Sequence, residues 1–284
     1  MRWTPGGMSS DVDDQRGSSG GGGFGFGRGP IGIGGALILL VLSLIFHKNF
    51  FALLGGGGQS QVSQSPGQPV QETPAEHKSA EFVSFQLDDI QKTWDTLLSN
   101  QAQEPYHHAR LVLFRDGIQS ACGFAQTASG PFYCPNDQRV YIDLAFLDEL
   151  KQRFGAPGEF AQAYVIAHEV GHHVQKILGI ESKVHQATES DRSGARALSV
   201  RLELQADCFA GVWGNSAQQR NLLDPGDVEQ GLNAAAAVGD DRIQKMTGHQ
   251  VNPESFTHGS AAQRSEWFGR GFKSGRIADC DTFH

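Results

Sequence analysis

The residue types able to do chemistry in this chain are concentrated in "YVIAHEVGHHVQ", residues 164 to 175, where His168, Glu169, His172 and His173 follow an apolar run. On a helix, residues four apart differ by about 40° around the axis, so His168 and His172 project to one side and can share one metal ion. Glu169 lies beside that face, close enough to take a proton from a metal-bound water without being a ligand. His173 is turned by about 100° and reads as a surface residue or a support for the ligands. Gly171 has no side chain to obstruct close packing near the pair.

A catalytic zinc ion usually takes three protein ligands and keeps one position open. In metzincins the third ligand is a His six residues after the second, but Leu178 occupies that position, and Gln175 stands where their Gly would be. The remaining pattern is a Glu on a downstream helix with an Asp four residues later to hold a ligand imidazole. Of the candidates Glu181, Glu189 and Glu203, only Glu203 has that partner, Asp207, in the apolar segment "RLELQADCFAGVWG". The expected metal ligands are therefore His168, His172 and Glu203, with Zn2+ as the cofactor and Glu169 as the general base.

These residues need a frame, and the chain divides by composition. It has 284 residues, 39% of them hydrophobic, and a net charge of -8, which disfavours a nucleic-acid partner. Residues 1–30 are rich in Gly, Ser and Asp and predict a flexible tail. Residues 31–46 carry no charge; at about 1.5 Å per residue they span roughly 24 Å, and with the apolar residues as far as position 54 they predict one transmembrane helix. Arg16 and Arg28 before the uncharged run, against Lys48 after it, orient the tail to the cytoplasm. Residues 55–80 read as a Gly/Gln/Pro-rich linker, so the folded domain is expected over 81–284.

Within that domain, Leu87, Ile90, Trp94, Leu97 and Leu98 share a helical face, with Ser84 or Asp88 as the start signal. "ARLVLFRDG" and "RVYIDL" read as strands separated by turn residues, which predicts a small antiparallel sheet, and from Leu144 onward the pattern is mostly helical. Four cysteines outside the cytoplasm favour two disulfides, and proximity pairs Cys122 with Cys134, leaving Cys208 with Cys280.

"HEVGHHVQ", "ELQADCFAG", "GPFYCPNDQRVYID" and the terminal "CDTF", together with the opening "MRW" and "DVDDQRG", resemble the bacterial neutral zinc metallopeptidases over nearly the whole chain. The resemblance implies an α+β, mainly helical, zincin-like catalytic domain behind one membrane helix. It would sit at the bacterial inner membrane, single-pass, with the C-terminal domain periplasmic. It implies zinc-dependent cleavage of a peptide or protein substrate, whose backbone would lie along the edge of the "RVYID" strand as in gluzincins. "FTHGSAAQR" is similar to a gluzincin segment in which a Thr-His precedes an Arg, implying that His258 stabilises the oxyanion and Arg264 supports it; Gly259 stands where those relatives have proline. In the bland alternative, Thr257 or Ser260 caps a helix and His258 packs beside it. The competing function is a catalytically silent zinc-containing envelope protein that binds a partner. No sequence feature specifies an oligomeric state.

Overall fold

The computed structural model describes residues 1–17 and 70–283. Helix α1 (Pro74–Leu97) starts where Thr73 and Glu76 form a reciprocal capping box and Pro74 occupies the first helical turn. The start is therefore earlier than Ser84 or Asp88, and the domain boundary expected near residue 81 moves back into the Gln/Pro-rich stretch, where "TPAE" is the legible signal. Leu87, Ile90, Trp94 and Leu98 are fully buried, as their spacing requires.

Four strands form one sheet in the order β1 (Val12–Asp14), β2 (Arg110–Phe114), β6 (Arg139–Asp143), β5 (Phe132–Cys134). Strands β1 and β2, and β2 and β6, run parallel; only β5 and β6 are antiparallel. The expected antiparallel pairing of "ARLVLF" with "RVYID" is thus corrected. The intervening residues form their own antiparallel hairpin, β3 (Gly117–Ser120) with β4 (Gly123–Gln126), and then β5, a path long enough to bring β6 back parallel to β2. Alternate residues serve two cores. Leu111, Leu113, Val140 and Ile142 join the helical core, whereas Val112, Phe114 and Tyr141 pack with Cys134, Ile118 and Phe132. Strand β6 is paired on both sides and offers no free edge to a substrate.

The remaining helices are α2 (Leu144–Gln152), α3 (Glu159–Ile177), α4 (Ile180–Ser190), α5 (Ala195–Gln219), α6 (Asp227–Ala237), α7 (Asp240–Met246) and α8 (Ala261–Ser274). Helix α5 packs against both α3 and α8. Its approach to α8 is backbone to backbone, since a Cβ on Gly271 would overlap the Cys208 carbonyl. Both expected disulfides form: Cys122–Cys134 ties the hairpin to β5, and Cys208–Cys280 ties α5 to the C-terminal segment.

Residues 1–17 are not a flexible tail. Val12, Asp13 and Asp14 pair with Leu111, Val112 and Leu113, so the backbone groups of β1 are satisfied by the sheet. The Trp3 ring stands edge-on to Phe82 at 5.3 Å, and its indole N–H donates to Glu159. Arg16 is buried and paired with Asp14 and Glu72, so it is not a free charge available to orient a membrane segment. A few apolar and aromatic side chains, placed where the domain has complementary surface, offset the ordering cost that the glycine-rich composition suggested could not be met.

The candidate membrane helix over 31–54 lies outside the described residues, as do residues 18–30 and the linker as far as 69. Among the described residues no helix is long and apolar enough to cross a membrane. A single crossing between β1 and β2 would put Val12 and Leu111 on opposite sides of the bilayer, which their pairing excludes. All four native cysteines are in disulfides, so cysteines introduced at exposed Ser10 and Ala145 can be followed singly. Both are expected to react with a membrane-impermeant maleimide from the same side in oriented vesicles; labelling from opposite sides would contradict the β1–β2 pairing.

Candidate metal centre

The apolar entry "EFAQAYVIA" makes α3 a buried helix, and the histidines follow on its face toward α5. The two helices approach closely because position 171 is glycine: a Cβ there would lie 3.1 Å from the Ala206 carbonyl oxygen and 3.2 Å from the Ala206 Cα. This brings Glu203 against the imidazoles. His168 Nε2 is 3.2 Å from Glu203 Oε2, and His172 Nε2 is 3.5 Å from Glu203 Oε1. One ligand atom from each of the three residues lies within 4.8 Å of the others. Bonds of about 2.0–2.1 Å to a tetrahedral ion leave its ligand atoms roughly 3.3 Å apart, so the donor set and its spacing fit zinc.

Each imidazole is held through its other nitrogen, leaving Nε2 for the metal. For His168 the holder is Asp207, whose Oδ1 is 3.0 Å from Nδ1. Asp207 has no solvent exposure and also accepts from the Tyr164 hydroxyl at 2.5 Å and from Arg264 Nε at 2.8 Å and Nη2 at 3.0 Å. Arg264 Nη2 donates in addition to the Tyr164 hydroxyl at 3.2 Å. For His172 the holder is Gln175, whose Oε1 is 2.9 Å from Nδ1. Tyr164 and Gln175 were missed by sequence reasoning, although both sit at helical spacing from a ligand, Tyr164 four residues before His168 and Gln175 three after His172.

The electrostatics follow from this enclosure. Burial acts against the charges of Asp207 and Glu203, but Arg264 and the imidazoles outweigh it and hold both carboxyls below their ordinary range. Burial likewise opposes a charge on His168, and Asp207 with Glu203 overrides it, so in the metal-free site its pKa is pushed up to about 10. A metal taking His168 Nε2 would then have to displace a proton, which would couple its affinity to pH. Burial pushes the Tyr164 phenol far up, so it remains a donor to Asp207.

Glu169 is 8% exposed and, among the described residues, forms no ion pair or hydrogen bond. His173 is neither a ligand nor a surface residue. It is fully buried, with Nε2 donating to the His107 carbonyl at 2.6 Å and Nδ1 3.0 Å from the Tyr133 hydroxyl, and it pins α3 to β5. Glu181 pairs with Lys176 and Glu189 with His185, which removes both from the ligand set.

His258 precedes α8 on a loop suspended from one carboxylate. Asp240 Oδ2 accepts the backbone N–H of Thr257, His258 and Gly259 at 2.7, 2.7 and 3.1 Å, and Oδ1 is 3.1 Å from His258 Nδ1. The loop rests on the turn of α5 that carries Glu203, with Ser199 donating to the Thr257 carbonyl and Gly259 lying against Leu204 and Val200. Gly259 has φ +92°, which proline cannot adopt, so the loop is built differently from the proline-bearing gluzincin segment. Ser260 caps α8, as the bland alternative expected, and His258 is nevertheless held beside the site. Asp240 carried no sequence signal, because it lies 18 residues from His258 and the fold alone brings them together.

The family model described as "Putative neutral zinc metallopeptidase" matches residues 1–283. The chain is similar to the Escherichia coli K12 "Uncharacterized protein YpfJ", 48% identical over all of this chain and 99% of the relative. It is also similar to the Mycobacterium bovis "Uncharacterized protein Mb2605" and the Mycobacterium tuberculosis H37Rv "Uncharacterized protein Rv2575", each 42% identical over 68% of this chain and 67% of the relative. No solved structure matches.

The Asp240 hydrogen bond comes first among the causes that raise the His258 pKa, with Glu203 adding to it against burial. A raised folded value means that this pair contributes stability below the ordinary pKa of about 6.5, and that the contribution is lost as pH rises through the folded value. In Asp240→Asn the His258 midpoint, followed by NMR, is expected to fall. An unchanged midpoint in a folded variant would show that Asp240 does not hold the imidazole.

Proposed function

Because the chain belongs to the neutral zinc metallopeptidase family, we propose that it is a zinc-dependent endopeptidase of gluzincin type. The observation that supports this most is the His168, His172 and Glu203 triangle, with Glu169 next to His168 on α3 and, among the described residues, in no ion pair or hydrogen bond, since a purely structural zinc site has no use for a free base. When bound, zinc would polarise the scissile carbonyl and lower the pKa of a water to about 7.

The residues of the chain divide the remaining work. Glu169 takes the proton of the attacking water and returns it to the leaving amine. His258, held by Asp240, supplies a hydrogen bond from Nε2 to the developing oxyanion. Asp207 and Gln175 keep the two ligand imidazoles in register. Strand β5 (Phe132–Cys134) is a sheet edge linked to α3 through Tyr133 and His173, and it takes the place of "RVYID" as the edge along which an extended substrate would pair.

The two disulfides favour an oxidising compartment, so the domain is assigned outside the cytoplasm. The apolar residues 31–54 are the part of the sequence that would associate with a membrane.

Glu169→Gln is expected to lower kcat/KM on an unfolded protein substrate by about 10²–10⁴-fold while one zinc per chain is retained. Wild-type turnover that survives in the zinc-loaded variant would overturn the mechanism. Zinc-replete wild type without turnover would leave the alternative, an envelope protein that binds a partner.

A further inference from the structure

The holder of His172 is itself held. Gln175 is 1% exposed and Gln205 4%, and each uses both ends of its amide. Gln175 Nε2 donates to the Leu202 carbonyl at 2.7 Å and to Gln205 Oε1 at 3.1 Å, while Gln205 Nε2 donates to the Cys280 carbonyl at 3.0 Å. Cys280 is fixed in turn to Cys208 by the disulfide.

A side-chain amide can be flipped, but a backbone carbonyl can only accept. The Cys280 carbonyl therefore requires the NH2 end of Gln205, which leaves the Gln205 oxygen facing Gln175. That oxygen and the Leu202 carbonyl both require the NH2 end of Gln175, which leaves the Gln175 oxygen facing His172. An oxygen at that place requires a proton on Nδ1 of His172, which leaves Nε2 as the nitrogen that a metal could take. Reversing either amide would set acceptor against acceptor in a buried space.

We propose that Gln175 and Gln205 are positioning residues that fix the tautomer and direction of His172 by relaying the polarity of the Cys280 carbonyl, anchored by the Cys208–Cys280 disulfide. The two imidazoles are thus held by different means, His168 by the charge of Asp207 and His172 by a neutral relay that reaches the C-terminal segment. This rests on the metal-ligand part of the proposed function and does not require peptidase activity.

The test uses the full chain with zinc alone, its dissociation constant measured by competition with a chromophoric chelator, and the ring nitrogens of His172 followed by 15N NMR in the zinc-free protein. Gln175→Leu is expected to weaken zinc by about 10–100-fold, as loss of a partner to a metal ligand does, and Gln205→Leu to weaken it in the same direction. Wild-type His172 is expected to show a proton on Nδ1, whatever Nε2 carries, and this readout needs no variant to fold. Unchanged zinc affinity in both folded variants, or a wild-type His172 protonated on Nε2 alone, would overturn the relay. Failure of wild type to bind zinc would instead overturn the metal reading, and the nitrogen spectrum would still decide the tautomer.

Discussion

A carboxylate with no solvent exposure has to be matched donor for donor, and in this protein that carboxylate is Asp207. It receives the Tyr164 hydroxyl, His168 Nδ1 and Arg264 Nη2 on Oδ1 and Arg264 Nε on Oδ2, so both oxygens are matched by donors. Its partners come from α3 and α8 and it belongs to α5, so the three helices can be assembled only in the arrangement that satisfies it. Loss of any one donor would leave part of a buried charge unpaired, which is why the metal ligand, the phenol and the guanidinium behave as one unit.

Helix α5 concentrates the consequences. Within two turns it carries Glu203, Gln205, Asp207 and Cys208: a ligand, a relay amide, an orienting carboxylate and a disulfide partner. Arg264 pairs with Asp207 at 2.8 Å and with Glu203 only at 3.9 Å, so Glu203 keeps most of its charge for a cation. Small residues permit this density, since Gly171 allows α3 to meet Ala206 and Gly271 allows α8 to meet Cys208. A side chain at Gly271 would force α8 away from α5, and one at Gly171 would press on Ala206 between the two helices that carry His168, His172 and Glu203.

Legibility followed distance along the chain. His168, Glu169 and His172, and Glu203 with Asp207, were readable because an i to i+4 spacing on a helix is itself a statement about space. Tyr164 and Gln175 were equally local and could have been read by the same rule, but a phenol and an amide near a histidine cluster raise no chemical alarm. The helix at Pro74 was hidden by composition, although its capping box was present in "TPAE". The sheet was misread because two apolar strand segments look the same in either direction; the path of β3 to β5 between them sets the direction.

Residue type and helical period, then, were enough to single out His168, Glu169 and His172 and to couple Glu203 with Asp207, because each of those spacings lies within about one turn of one helix. The docking of β1 beside β2, the burial of His173 against His107 and Tyr133, the grip of Asp240 on the His258 loop, and the path from the Cys280 carbonyl to His172 had to wait for the tertiary structure. Those contacts join residues from separate elements, and their hydrogen-bond polarity exists only once packing has brought a fixed backbone acceptor against a side chain that could have pointed either way.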